Sequence, residues 1–168
     1  GEDMDDPNWD NNFASSLLPK FNQLYEFYKE NYNKGTNDYS DPEELFESQI
    51  NLNIKQATGA MEQTRFRTAI QKSYFDMQKS LRQYLKKVEK PNKKLMNLYI
   101  ETQIKMLSPF VPFITEESWS SLGKKTLISL EKWPKIDESK INLELGYLEE
   151  ELDNTFEDID YIMKLTKK

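Results

Sequence analysis

The residues of this sequence that could act together at a functional site are its clustered basic side chains. From Glu62 to Lys94 there are ten Lys or Arg and three Asp or Glu, whereas the whole chain has a net charge of −6. A basic segment in an acidic protein is a candidate contact surface for phosphate groups. The candidate contact residues within it are Arg65, Arg67, Lys72, Lys79, Arg82, Lys86, Lys87 and Lys90, and Lys124 and Lys125 are further candidates downstream. The alternative is a solvated helix surface whose lysines balance acids on neighbouring helices.

Catalysis by the chain itself is not expected. The sequence has no His and no Cys, so it lacks the commonest general base, the commonest metal ligand and any thiolate nucleophile. Its five Gly are scattered singly, which excludes a Gly-rich phosphate loop. Glu116 and Glu117 would point about 100° apart on a helix, and we interpret them as first-turn charges. We predict no catalytic residue, no metal site and no bound cofactor here, and no apolar run of about 18 residues that could span a membrane.

Helices must position the basic residues, because apolar residues recur at three- and four-residue spacing along most of the chain. A first helix is predicted from Asn12 to about Tyr28, with Pro19 either kinking it or starting a second helix. A second helix is predicted to begin at Asp41 as the capping residue, followed by Pro42. Its apolar stripe is Phe46, Ile50, Ile54, Ala57 and Met61.

The clearest helix follows a turn at 63–66, where Thr64 or Thr68 could cap it, and carries most of the basic residues. Its predicted buried stripe is Ile70, Tyr74, Met77, Leu81, Leu85 and Val88. At about 100° per residue, the opposite side presents Lys72, Lys79, Arg82, Lys86 and Lys90. Tyr84 and Tyr99 could stack on exposed bases, or they could pack inside the bundle. The next helix is predicted from Lys93 to Leu107, and a last helix should carry an apolar stripe from Leu145 to Met163.

A tight corner is predicted between 106 and 133, where Pro, aromatic and Gly residues are densest. Pro109 and Pro112 should end the preceding helix. Thr115 should cap a short helix that ends before Gly123. The aromatic residues of the corner, above all Phe113 and Trp119, are expected to be buried. The run 127–130 is expected to be extended.

Three segments resemble one family. The run LSPFVPFITEESWSSLG followed by ISLEKWP is similar to the end of the anticodon-binding helical bundle of class I aminoacyl-tRNA synthetases. The segments DDPNW at 5–9 and AMEQTRFRTAIQ at 60–71 also resemble this family. The residue pattern is most similar to the archaeal and eukaryotic leucyl type. The resemblance implies an all-α antiparallel bundle of five to six helices. We expect residues 1–142 to form the tRNA-binding bundle and residues 143–168 to form a C-terminal helix packed on it or leading out of it.

The resemblance also implies a function. The chain would be a cytoplasmic piece of a ligase that attaches leucine to tRNA with ATP and magnesium, and its partners would be leucine tRNA and the remaining domains of the enzyme. The opening Gly1-Glu2 fits an excised piece. The signatures of the class that hold ATP are missing from this sequence, so the chain itself should position tRNA and be non-catalytic. Two alternatives remain: the same bundle from a valine or isoleucine enzyme, and a helical protein-interaction module without an RNA function.

Overall fold

The computed structural model describes residues 11–145, and this range is helical with no β-strand. The α-helices are α1 (Asn11–Asn31), α2 (Asp41–Glu62), α3 (Phe66–Ile70), α4 (Met77–Lys87), α5 (Lys93–Leu107) and α6 (Pro112–Ser121). A π-helical segment, Gln71–Asp76, joins α3 to α4, and two 3-10 turns follow α6 at Ile128–Leu130 and Glu138–Lys140. The all-α antiparallel bundle is therefore confirmed. The helix predicted after Leu145 and the DDPNW segment lie outside the described residues.

One apolar core lies between α1, α2, α4, α5 and α6. The predicted stripe of α5 is confirmed, since Met96, Ile100, Ile104 and Leu107 are all buried. The ring of Phe46 on α2 stacks on that of Tyr84 on α4, with centroids 4.4 Å apart. Burying such aromatic pairs gives more stability than their area alone, so this contact fixes α4 against α2.

Two polar residues determine where helices begin. Before α2, Ser40 rather than the predicted Asp41 is the capping residue, and its backbone N–H and hydroxyl both donate to the Glu43 carboxylate, at 3.0 and 2.7 Å. Before α5, the Asn92 side-chain oxygen accepts from the backbone N–H groups of Lys94 and Leu95. Such caps satisfy N–H groups that the helix leaves without partners.

The loop after α1 forms backbone hydrogen bonds with the turn between α4 and α5. Thr36 N–H donates to the Pro91 carbonyl and Lys93 N–H donates to the Thr36 carbonyl, both at 2.9 Å. Gly35 permits this approach, because its φ is +122° and an added Cβ would lie 2.3 Å from the Pro91 oxygen. The turn that ends the basic helix is therefore held by backbone hydrogen bonds as well as by its cap.

The corner around α6 differs from the prediction in three ways. α6 begins at Pro112 with Val111 as its capping residue, and the Thr115 hydroxyl bonds back to the carbonyls of Val111 and Pro112 instead of capping. Phe113 is 91% exposed, although Trp119 is buried as predicted. The run predicted to be extended contains the 3-10 turn Ile128–Leu130. Starting the helix four residues early, with Val111 instead of Thr115 as the capping residue, turns Phe113 away from the core.

Two other predictions for the helix ends are resolved by the structure. Gly123 follows α6 with a φ of +80°, and its N–H donates to the Ser120 carbonyl, so the predicted stop is confirmed. α1 runs through Pro19 as one helix, and no second helix begins there. No described helix is long and apolar enough to cross a membrane.

Candidate nucleic-acid interface

The basic residues of the segment lie on a helical rod made of α3, the π-segment and α4. Its core side carries Ala69, Ser73, Met77, Leu81 and Tyr84, all of them buried. Residues four apart on an α-helix lie about 40° apart around the helix axis. The π-segment has more residues per turn, and this offsets the rotation between Ala69 and Met77. The core side of the rod is thereby fixed, and so is the side that faces water.

The side opposite this core carries three exposed cations: Lys79, Arg82 and Lys86. They are three and four residues apart, so their side chains lie along one stripe of α4. None of the three makes an ion pair with another residue of the described range 11–145. Lysine and arginine side chains placed in this way can reach the phosphates of a nucleic-acid backbone. We call this stripe the basic face.

A buried glutamine holds the π-segment in place. Gln103 on α5 is fully buried, and its side-chain N–H donates to the Ser73 carbonyl at 3.2 Å. Its side-chain oxygen accepts from the Tyr28 hydroxyl at 2.9 Å and from Gln78 Nε2 at 3.3 Å. One side chain thus connects α1, α4, α5 and the π-segment. Because a buried polar group is costly without a partner, this network resists rotation of the rod.

The far end of α4 is held by a carboxylate. The Tyr84 hydroxyl donates to Glu43 at 2.8 Å and accepts from the Asn92 N–H at 2.7 Å. Burial alone raises the pKa of the Glu43 carboxyl, but hydrogen bonds from Ser40 and Tyr84 outweigh it, so this pKa lies below its ordinary value. Burial, helped by the neighbouring carboxylate of Glu43, raises the pKa of Tyr84. A charged Glu43 therefore ties α2, α4 and the start of α5 together at the back of the basic face.

The predicted buried stripe of this rod is wrong at one position. Leu85 is 38% exposed, and Tyr84 occupies the core instead. Tyr99 is also fully buried, and its hydroxyl accepts from Gln78 Nε2 at 3.1 Å. Neither tyrosine is available to stack on a base, so packing inside the bundle is the correct interpretation for both.

Two predicted phosphate contacts have their charge matched by nearby acids. Lys72 pairs with Asp76 at 2.7 Å, one turn further along the rod. Lys124 pairs with Glu101 at 2.7 Å and lies 5.0 Å from the centroid of the Trp119 ring. Burial alone lowers the pKa of Lys124, but hydrogen bonding with Glu101 and Tyr32 outweighs it and raises this pKa. Lys124 therefore joins α5 to α6 and is not grouped with the basic face.

The remaining predicted residues lie around the basic face or away from it. Arg65 and Arg67 are exposed at the start of the rod, Lys87 is exposed at the end of α4, and Lys90 is exposed in the turn that follows. Lys125 is exposed beyond α6, close in sequence to Lys124. The structure thus brings Lys79, Arg82 and Lys86 together on one stripe and places Lys124 and Lys125 on another element.

Phe75, an exposed phenylalanine on the rod, is not among the predicted site residues. Phe75 is 53% exposed and precedes Lys79 by four residues, although an apolar residue in a helical pattern is ordinarily assigned to the core. The signal that could have found it is the spacing Phe75, Lys79, Arg82, Lys86, which is four, three and four residues.

The chain is similar to known proteins over most of its length. A family model described as the anticodon-binding domain of tRNA ligase matches residues 43–168. The leucine–tRNA ligase of Aeropyrum pernix is 32% identical over 164 residues, which cover 96% of this chain and 17% of that protein. The leucine–tRNA ligase of Pyrococcus horikoshii is 29% identical over 154 residues, covering 89% and 16%. The chain therefore spans less than a fifth of the length of these relatives.

A solved structure has the same fold. It is the ternary complex of Agrobacterium radiobacter K84 agnB2 LeuRS with tRNA and LeuAMS, which matches with a TM-score of 0.66 and 20% identity. The match covers 81% of this chain and 18% of that one. At this identity the likeness concerns the arrangement of helices.

Proposed function

Because the chain belongs to the family of anticodon-binding domains of tRNA ligases, we propose that its basic face binds the sugar-phosphate backbone of tRNA. The observation that carries this proposal is the stripe of Lys79, Arg82 and Lys86, which is exposed and without a counter-ion among the described residues. Uncompensated cations on a rigid helix are suited to phosphates, since such contacts need reach and charge and little else.

The whole enzyme in this proposal is a leucine–tRNA ligase of the cytoplasm. Relatives that carry this name support leucine over valine or isoleucine. ATP and magnesium would be bound by other parts of the enzyme, and no group of three or more His, Cys, Asp or Glu within 11–145 could hold a metal ion. The division of the chain into a tRNA-binding unit at 1–142 and a C-terminal helix at 143–168, packed on that unit or leading out of it, stays a prediction. The role of this chain is to position tRNA for that reaction.

Reversing two charges tests the proposal. The variant Arg82→Glu/Lys86→Glu should bind a leucine tRNA transcript more weakly than the unchanged chain. If all three cations meet phosphates, the log–log salt slope is about −2 to −3, and the double reversal should remove about two-thirds of it. The measurement is fluorescence anisotropy of labelled tRNA at several salt concentrations.

The matched control is Lys132→Glu/Lys135→Glu, which changes the net charge equally at two exposed lysines outside the basic segment. Equal losses of tRNA affinity in the two double variants would refute a specific face. Absence of salt-dependent tRNA binding in the unchanged chain would favour the protein-interaction module. In the full-length ligase, the same reversal at α4 should raise the Michaelis constant for tRNA. Leucine activation, measured by pyrophosphate exchange, then serves as the internal check on folding.

A further inference from the structure

We propose that Phe75 is a stacking platform for an unpaired RNA base, at the head of the basic face. This inference rests on the proposed function, and it assigns the face a preference for single-stranded RNA over duplex. Phe75 is 53% exposed. Aromatic side chains beside cations are the usual means by which proteins hold splayed-out bases, since every base has a π-face.

The position of Phe75 follows from the rod. Ser73 and Met77, two residues before and after Phe75, are fully buried, so the side chain of Phe75 points away from the core. Lys79 and Arg82 follow it by four and seven residues, which places all three on one side of the helix. A base stacked on the ring would therefore have its adjoining phosphates within the reach of these two cations.

The ring of Phe75 packs edge-on against one neighbouring ring. Its centroid lies 5.0 Å from that of the half-buried Tyr74, and the two ring planes meet at 84°. The hydrogen bond from Gln103 to the Ser73 carbonyl anchors the backbone of the same π-segment. An aromatic side chain has only two torsions to immobilise when it binds, so this exposed ring can receive a flat partner at a small cost in conformational entropy.

The charge of the segment that carries Phe75 suits an anion. Asp76 is the only Asp or Glu between Glu62 and Glu89 in the sequence. Its carboxylate is paired with Lys72 at 2.7 Å and accepts a hydrogen bond from Gln71 at 2.9 Å. Because this single carboxylate is neutralised, it does not repel a phosphate. An apolar protein surface would gain nothing from the two uncompensated cations, which favours RNA as the occupant.

The test compares two RNA probes on the 168-residue chain: a single strand of adenosines of about 12 nucleotides, within the length of known single-stranded sites, and a duplex of matched charge. Phe75→Ala should weaken single-strand binding by about 5- to 150-fold, the range that loss of one stacked base produces. Duplex binding should stay within about twofold, since paired bases offer no free face. The control Phe113→Ala removes a ring that is 91% exposed on α6 and should change neither affinity.

Two conservative variants complete the test. Phe75→Trp should keep the single-strand affinity, and its fluorescence should be quenched by the bound strand. Phe75→Leu should lose affinity as Phe75→Ala does. Retained affinity in Phe75→Leu, or equal effects of Phe75→Ala on both probes, would overturn stacking.

The Arg82→Glu/Lys86→Glu variant should weaken the binding of both probes. If it weakens neither, the phosphate-binding function fails; if it weakens both while Phe75→Ala weakens neither, only the stacking platform fails.

Discussion

Replacing Trp119 by alanine tests how the corner between α5 and α6 is held. The side chain is 3% exposed, and its indole N–H donates to the Thr126 hydroxyl at 3.3 Å. Two cations lie against its ring, with Lys105 Nζ at 5.1 Å and Lys124 Nζ at 5.0 Å from the centroid. Truncating a buried Trp costs about 3–5 kcal/mol, and each cation–π contact adds about 0.5–1 kcal/mol. Since these terms are not fully additive, we expect Trp119→Ala to lower the free energy of unfolding by about 4 kcal/mol.

The assay is urea denaturation followed by the helical circular dichroism signal, with Phe113→Ala as the partner variant. Both residues are aromatic and belong to α6, but Phe113 is 91% exposed, so its truncation should change stability by no more than about 0.5 kcal/mol. A loss below about 1 kcal/mol for Trp119→Ala would contradict its structural role. A loss above about 1 kcal/mol for Phe113→Ala would contradict the turn of α6 that exposes it.

Two further predictions concern the supports of the basic face. Gln103→Leu should cost about 2–4 kcal/mol in the same assay, because it leaves the buried Tyr28 hydroxyl and the Ser73 carbonyl without their partner; a cost below about 1 kcal/mol would mean that the network is dispensable. Glu43→Gln should destabilise the chain most at neutral pH. The pKa of Glu43 is lowered by folding, so its contribution is present above the unfolded pKa of about 4.3 and is lost as the pH falls through the folded value. Urea melts from pH 7 to pH 3 should show the gap between wild type and Glu43→Gln closing, and a constant gap would rule out the charged form as the cause.

The sequence predicts the elements whose ends carry strong local signals. α5 was placed correctly because Pro91 and Asn92 mark its start and its apolar spacing is regular. The start of α2 was misplaced by one residue, since Ser40 and Asp41 are both good caps and only the contact with Glu43 decides between them. The periodicity was wrong at Leu85, because two successive four-residue steps from Met77 drift by about 80° around α4. Tyr84 follows Leu81 by three residues and so returns to the core side.

The candidate site was predictable in its location but not in its membership. The charge excess of the segment is visible in the sequence, and so is the stripe on α4. The pairing of Lys124 with Glu101 is a contact between distant positions, which no local pattern contains. The alignment of Phe75 with Lys79 and Arg82 can be seen in the residue spacing, but its exposure depends on Ser73 and Met77 both being buried in the core, which is a matter of tertiary packing.

The π-segment also matters for comparing this chain with its relatives. A π-turn is equivalent to one residue inserted into an α-helix, so a relative whose rod is α-helical throughout would be one residue shorter here. A gap in the alignment then belongs inside Gln71–Asp76. An alignment without that gap would be out of step by one residue, about 100° of rotation, on one side of the segment. Substitutions at Arg82 or Lys86 would then be counted against positions that point elsewhere, and the basic face would be hidden from any comparison of sequences.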